Sequence, residues 1–544
     1  MSLPTDGPSD SATGAPRPAA SSDPVSTGRQ DRTRRDLLRG AGAAGLLGLS
    51  SLAGAAGLGA PARAEAAPAL PAPGSAFEPD TVVELARALA GAPYAAPRSD
   101  DLPASLKALT REQYGTIRAA PGSAVWAGDN LGFTLEPLHR GSIFTGRVSL
   151  ALVEDGVVRA LPYDRARFET GGIVLPEFGE DPGYSGFRLQ ARFDGGALAD
   201  FAIFQGASFF RLLARGQGFG VTARALTLRP ADARGEEFPL FRAFWIERPG
   251  PGGPLTVHAL IDSDSAAGAL RMSLRPGEAS VADVEGTIFP RKVIDHLGLG
   301  GMQASYLFGP HDRRGSDDAR AGAYAAGGLQ IRNGAGEAIW RPVRNPDTLQ
   351  ISSFLDDGPK GFGLMQRARA YDDFEDDVQR WELRPSLWLE PLSPWGEGAV
   401  TLLEIPSDSE FNENILAYWR PKTAIAAGAE TRFSYRQFWC WEPPERPPVA
   451  LVAGTRSGHG SGGSRRLFLV DFTGEDLAGD GLETALTASP GTIVRQTLYP
   501  YPERRTVRVA FELDPGGERA SELRLALTRG GRPVSETWLY RWTP

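Results

Sequence analysis

The chain has 544 residues, more than one ordinary hydrophobic core organises, so two or more domains are expected. Its 66 glycines and 44 prolines suit a turn-rich, all-β chain, and a net charge of -8 argues against a nucleic-acid partner, which needs basic surface. Cys440 is the only cysteine, which excludes an intramolecular disulfide.

Residues 1–64 carry a net charge of +2 and the remainder -10. Within that basic leader, Thr33-Arg34-Arg35-Asp36-Leu37-Leu38-Arg39 has the form of a twin-arginine export signal. An Ala/Gly/Leu-rich run follows at 41–60, and Ala62-Arg63-Ala64 offers a small-x-small cleavage site, with Ala64-Glu65-Ala66 as the neighbouring option. The run is long enough to span a bilayer, but glycine and alanine make it weakly apolar and a cleavage motif follows. The expectation is a removable signal, with no stable membrane insertion after cleavage. Residues 1–30 read as a disordered extension of it.

The mature chain opens on a helix in which Val82, Leu85, Ala86 and Leu89 share a face, with Thr81 and Glu84 spaced as a capping box. A second amphipathic piece is expected over 104–118, with Leu106, Leu109, Tyr114 and Ile117. Strand follows strand beyond it, including candidates at 255–261, 269–274 and 280–286 separated by turn residues. Such a run predicts a large sandwich rather than βαβ units. Pro443, Pro444, Pro447 and Pro448 stiffen a connector and mark the domain boundary, dividing 65–445 from 446–544. Residues 457–463 read as a mobile loop. In the last segment Val507, Val509, Phe511 and Leu513 alternate, as do Leu523, Leu525 and Leu527, and Gly530-Gly531 offers a hairpin turn. That length of short strands suits a small immunoglobulin-like sandwich.

The chemistry is concentrated in residues 333–419, where Trp340, Trp381, Trp388, Trp395 and Trp419 lie among carboxylates and glycines. Aromatic faces bind sugar rings, and carboxylates bind hydroxyls or move protons; a sandwich core with acidic loops would read the same way. The five histidines are scattered, so no metal site is expected, and no motif implies a cofactor. Neither serine-based catalysis nor a phosphate loop has a supporting pattern. The acidic candidates are Asp356, Asp357, Asp372, Asp373, Glu375, Asp376, Asp377, Glu404, Asp408, Glu410 and Glu413.

Several blocks, read together, resemble one family. They are FQGASFFR at 204–211, EEFPLFRAFW at 236–245, NGAGEAIWRPV at 333–343, PKGFGLMQRAR at 359–369, RPSLWLEP at 384–391, IPSDSEFNENILAYW at 405–419 and SETWLYRW at 535–542. In this order they resemble the periplasmic glucan biosynthesis proteins (MdoG/OpgG and OpgD), from about residue 76 to the C-terminus, and the twin-arginine signal leans toward the OpgD branch. The resemblance implies a large sandwich of the sugar-mutarotase type followed by an immunoglobulin-like domain. It also implies a periplasmic location and a β-1,2-glucan as the partner. By their chemistry, Trp340, Tyr371, Trp381 and Trp388 could stack on sugars or equally belong to the core, and Arg341, Arg369 and Arg384 could orient carboxylates or glucan hydroxyls.

Hydrolytic members of the D branch use as general acid an Asp just before Asn-Ile. That slot here is Glu413, ahead of Asn414-Ile415, longer by one C–C bond of about 1.5 Å. The slot of the family's base falls on Ala325, and a further family Asp falls on Ala368. Three readings stay open: a glucanase whose base is another acid such as Asp317 or Asp318, a transglycosylase in which a sugar hydroxyl replaces water, and a glucan-binding protein without turnover. The sequence does not indicate an oligomeric state. Replacing Arg34 and Arg35 with lysine should strand precursor in the cytoplasm, read by fractionation in a host whose other export route is closed; normal export of that variant would refute the signal.

Overall fold

The computed structural model describes residues 70–544 except Arg98 and Arg314. The twin-arginine segment, the apolar run and both cleavage sites lie outside the described residues.

Residue alternation builds two large sheets that pack face to face. Strand Gly186–Arg192 buries Phe187, Leu189 and Ala191 and turns Arg188 and Gln190 to the opposite face. The first sheet, of ten strands, runs from Phe133–Leu138 through Gly186–Arg192, Leu198–Gln205, Phe209–Leu212 and Thr222–Arg224 to Leu297–Ala304 and Ile415–Pro421, then to Glu397–Glu404 and the edge strand Gln350–Asp357. The second sheet, of fifteen strands, contains the meander Leu240–Glu247, Leu255–Asp262, Ala266–Arg275 and Ala279–Pro290. Its last three strands are those expected from the sequence, each somewhat longer. Phe187, Phe204 and Trp419 of the first sheet meet Phe244, Ile261, Met272 and Tyr435 of the second in one buried core. The fold is the expected all-β sandwich.

The helices depart from expectation in detail. Helix Asp80–Ala90 buries Val82, Ala86 and Leu89 against Trp245, Leu260 and Ala269 on the outer face of the second sheet. It starts one residue before Thr81, with Pro79 at its N-cap, so Thr81 sits inside the first turn and no capping box forms; its hydroxyl instead accepts from the Glu78 N–H at 3.0 Å. The segment 104–118 is two single turns, Ala104–Lys107 and Arg111–Tyr114, and a capping box does form there between Thr110 and Gln113.

The C-terminal segment makes a second, smaller sandwich. Its four-stranded sheet, Leu451–His459, Arg466–Thr473, Thr506–Asp514 and Thr492–Tyr501, packs Phe468, Val507, Val509, Phe511 and Leu513 against Leu523, Leu525, Leu527 and Trp538. Gly530-Gly531 turns Ser521–Arg529 back onto Arg532–Pro533. The first three residues of the expected loop at 457–463 belong to a strand, and Ser461 is pinned beyond them by two hydrogen bonds to Glu512.

Hydrogen bonding crosses from one sandwich to the other. Strand Thr537–Trp542 runs parallel to Ala338–Pro342, pairing Ile339 with Thr537 and Trp340 with Trp538, so the large sheet continues into the small sandwich. Trp340, Met365 and Trp388 belong to the core of the small sandwich. A Cβ at Gly328 would strike the Trp340 ring and one at Gly361 the Trp388 ring, so these glycines make room for the two tryptophans. Arg367 lies 3.6 Å over the Trp340 ring and donates to both oxygens of the fully buried Glu536 at 2.8–2.9 Å. We propose the proline-rich segment near 445/446 as the division between the two cores, with this seam holding them together.

His311 is buried in the seam. Its carbonyl accepts from the Ser457 hydroxyl at 2.8 Å, and its ring Nε2 lies 2.7 Å from the Val343 carbonyl. Burial pushes its pKa down from 6.5 to about 4. The unfolded chain takes up this proton first as pH falls, so stability present above pH 6.5 is lost between about 6.5 and 4. The loss should be about 3 kcal/mol, from about 1.4 kcal/mol per pKa unit. The urea midpoint of His311→Gln should fall less steeply than that of the wild type over this range; parallel curves would show that His311 is not the group responsible.

Candidate functional site

The first strands of the ten-stranded sheet turn their polar side chains away from the core, and loops close over them. The result is a cleft of about 2330 Å³. Its floor carries Glu136, Arg188, Gln190, Asp200 and Gln205, and its sides come from helix Arg111–Tyr114 and from residues 213–219, 375–384 and 410–411. Glu136 and Arg188 face each other across paired strands, and burial raises the Glu136 carboxyl above the usual range, with Arg188 opposing. Tyr114, Phe144, Phe168, Phe193, Phe219 and Phe411 supply aromatic surface. Eight arginines and seven carboxylates line the cleft, so it is not acidic although the chain is.

Strand register explains the polar cluster behind this wall. Phe209 pairs with Arg224 and Phe210 with Ala223, which sets Arg211 opposite Thr222; Thr222 in turn pairs with Gln303. Three adjacent strands thus present Arg211, Thr222 and Gln303 in a row, and Glu413 enters at its end. Glu413 Oε1 accepts from Arg211 at 2.8 Å and from the Thr222 hydroxyl at 2.5 Å, and Oε2 accepts from Gln303 at 2.5 Å. Gln303 Oε1 accepts from Arg224, which is ion-paired to Glu236. Asn414 anchors the turn by bonding the Tyr306 N–H and carbonyl and the Ile405 carbonyl. The Asn-Ile pair after the acid therefore has a structural task.

A second cluster ties three loops together. Arg320 meets Asp318 at 2.9 Å, Asp376 at 2.5 Å and Glu410 at 2.5 Å. Burial would raise Asp376, but the N–H of Gln379, the Arg320 guanidinium and the N–H of Val378 outweigh it and hold the carboxyl below the usual range.

The expected site residues separate into four groups. Arg384 lines the cleft. Glu413 and Trp381 stand one layer back, Glu413 behind Arg211 and Trp381 donating from Nε1 to Asp376 at 3.0 Å, while Tyr371 is exposed outside the lining and donates to Asp377 at 3.1 Å. Trp381 is buried, so its face is not open to a sugar. Trp340, Trp388 and Arg341 are elsewhere. The two tryptophans are only 5% and 3% exposed in the small sandwich's core, and Arg341 is buried against Glu404 at 3.0 Å. They pack the molecule together and present nothing to a glucan. Ala325 is buried in the main core and Ala368 packs against that core. Asp318 is engaged with Arg320, and Asp317 is not among the side chains of the cleft wall. Among the described residues no group of His, Cys, Asp and Glu is placed to hold a metal ion, and no helix is long and apolar enough to cross a membrane.

Arg211, Thr222, Gln303 and Arg320 were missed. Arg211 ends the FQGASFFR block, the one sequence signal that pointed near it.

The family model for the periplasmic glucan biosynthesis protein MdoG matches residues 77–542. The chain belongs to this periplasmic glucan biosynthesis family. It is 43% identical to glucans biosynthesis protein G of Vibrio cholerae over 477 residues, covering 86% of this chain and 87% of that protein. It is equally similar to glucans biosynthesis protein G of Bradyrhizobium diazoefficiens, with 94% of that protein covered. These matches do not separate the G and D branches. Within this MdoG-family chain, the blocks that carry the resemblance serve two ends: some build the cleft and some the seam.

Glu413→Gln removes the counterion of Arg211, a buried guanidinium. Breaking one side of a buried pair costs about 3–5 kcal/mol, and the urea midpoint should fall accordingly. Adding Arg211→Met should recover part of the loss. A wild-type midpoint in the single variant would show that the pair does not stabilise the fold.

Proposed function

We propose that this chain binds the backbone of a β-1,2-glucan in the cleft and so serves periplasmic glucan biosynthesis. The observation that carries the reading is the cleft itself, about 2330 Å³ of space floored by polar side chains and walled by aromatic rings, in a chain of this family. Sugars are bound by such combinations, rings against their apolar faces and fixed polar groups on their hydroxyls. The β-1,2 linkage comes from the family resemblance, and export by the twin-arginine route from the Arg34-Arg35 motif and the Ala/Gly/Leu-rich run behind it.

Binding without turnover is the reading that the site favours. An inverting hydrolase needs an acid and a base roughly 6.5–9.5 Å apart across the glycosidic bond. Both oxygens of Glu413 already accept hydrogen bonds, and Asp376 and Glu410 share Arg320. The second reading, hydrolysis or transfer, is favoured by the position of Glu413: a glucan that draws Arg211 toward itself would release one carboxyl oxygen to the cleft. In that case Glu413 is the general acid.

Calorimetry of the mature chain with linear β-1,2-glucan should show binding, and the product masses should be unchanged after long incubation. Phe411, 39% exposed on the wall, is a safe probe. Phe411→Ala should weaken binding by roughly 3–10-fold, the worth of one aromatic contact. Shortened or lengthened glucans that disappear with Glu413→Gln would establish the catalytic reading. No heat with β-1,2-glucan, alongside binding of an unrelated polymer, would defeat both.

A further inference from the structure

The row of side chains that begins with Arg211, Thr222 and Gln303 continues across the sheet. Register carries it through Leu416 and Leu403 to Ile351 on the last strand, Gln350–Asp357. That strand is the free edge of the ten-stranded sheet, and Ile351, Ser353 and Leu355 stand exposed on the face that bears the cleft. Leu355 is 86% exposed, more than any other large apolar side chain among the described residues, and Ile351 is 49% exposed.

The main chain of this strand is open as well. In its neighbour Glu397–Glu404, odd-numbered residues bond away from it: the Glu397 carbonyl accepts from the Lys422 N–H at 3.0 Å, and just past the strand the Ile405 N–H donates to the Asn414 carbonyl at 2.9 Å. Even-numbered residues therefore bond Gln350–Asp357, where their partners are also even-numbered, and the Gly358 N–H continues the series to the Gly396 carbonyl at 3.0 Å. Ile351, Ser353 and Leu355 are left with N–H and C=O groups directed away from the sheet. The next odd residue closes the opening. The Asp357 N–H donates to the Asp356 carboxylate at 2.9 Å, and Gly334 lies so near the Asp357 carbonyl that a Cβ there would strike it.

A sheet edge accepts a further strand unless something blunts it. The opposite edge, Phe133–Leu138, carries Pro137 and bonds Val125, and Val157–Ala160 of the second sheet is bonded by Gly74 and Ser75. The run from Gln350 to Leu355 has no proline, no charge and no bulge. The open window from Ile351 to Leu355 is centred on Ser353, so it is complementary to itself. About a two-fold axis at Ser353, each Ser353 exchanges main-chain hydrogen bonds with Ser353 of the second copy, and each Ile351 with Leu355 of the second copy. The exposed apolar side chains then meet in cross-strand pairs. A shift either way sets the window against Leu349, which lies outside the strand, or against Asp357, whose N–H is taken.

We propose that this chain pairs with a second copy of itself through Gln350–Asp357, antiparallel and centred on Ser353, so that the two ten-stranded sheets become one. The two-fold axis stands perpendicular to the sheet, so both clefts open to the same side of the assembly. The pairing does not depend on the glucan reading.

So short a strip makes a reversible contact. Sedimentation of the mature chain should give a mass that rises from one chain toward two as the concentration climbs through the micromolar range. Ser353→Pro removes an N–H that the fold itself does not use, as edge strands tolerate, and should weaken association about 10-fold or more, since two main-chain bonds go at once. Leu355→Lys should do the same, while Val174→Lys, at an exposed apolar side chain elsewhere, should change nothing. Cys440 is buried, so one added thiol reports the register. Ser353→Cys should cross-link on mild oxidation, its two Cα atoms being about 5.5 Å apart in such a pair. Ile351→Cys should not, its counterpart lying about 13 Å along the strand. The cross-link also carries the test if an edge variant fails to fold. A mass of one chain at every concentration overturns the proposal. So does a dimer unchanged in both edge variants, an equal loss in Val174→Lys, or cross-linking of Ile351→Cys as fast as that of Ser353→Cys.

Discussion

Glu536 has no exposed surface, and the two sandwiches are held together around it. Its carboxylate takes both nitrogens of Arg367 and the N–H of Val452, so one acid joins a strand of the small sandwich to the sheet of the large one. A charge in that position is tolerable only while every partner is in place. The parallel pairing of Thr537–Trp542 with Ala338–Pro342 keeps the partners there, and the Trp340 ring covers one face of the Arg367 guanidinium. The rest of the architecture follows from this junction. With the large sheet extended into the small sandwich, neither core can shift without breaking main-chain hydrogen bonds.

That rigidity supports the cleft, which is on the other sheet. Its floor is the polar half of an ordinary strand alternation, the apolar half being the core. The Arg211–Thr222–Gln303 row is equally a product of register, since a shift of one residue in any of the three strands would turn its side chain into the core. The carboxylate of Glu413 is therefore held by side chains whose positions the sheet dictates.

The sequence carried the fold well and the site poorly, for physical reasons. Val507, Val509, Phe511 and Leu513 alternate because one face meets a core, and the structure buries all four. The strands of the meander were readable from the turn residues between them, since Leu255–Asp262 is buried along its whole length and does not alternate. Trp340 and Trp388 misled because a tryptophan beside glycines looks the same whether the glycine gives room to a sugar or to the ring itself; Gly328 and Gly361 do the latter. Trp381 and Arg384, three residues apart, differ in exposure because a short helical turn faces one inward. Glu413 was found through its Asn-Ile neighbours, yet its partners Arg211, Thr222 and Gln303 come from segments far away in the chain, and no local pattern announces a cross-strand row.

The Arg320 cluster has a further consequence for how the cleft wall behaves. One guanidinium joins the loop that holds Asp318 to the loops that hold Asp376 and Glu410. The three attachments are not equivalent to three separate latches. Asp318 lies on the same loop as Arg320 and steadies it, so the bridges between loops are those to Asp376 and Glu410, and loss of either acid leaves the other bridge in place. Loss of the arginine would remove both bridges at once and leave three carboxylates without their shared counterion, so that attraction would give way to repulsion. The mouth of the cleft is thus governed by a keystone, indifferent to small erosions of its neighbours and intolerant of its own removal.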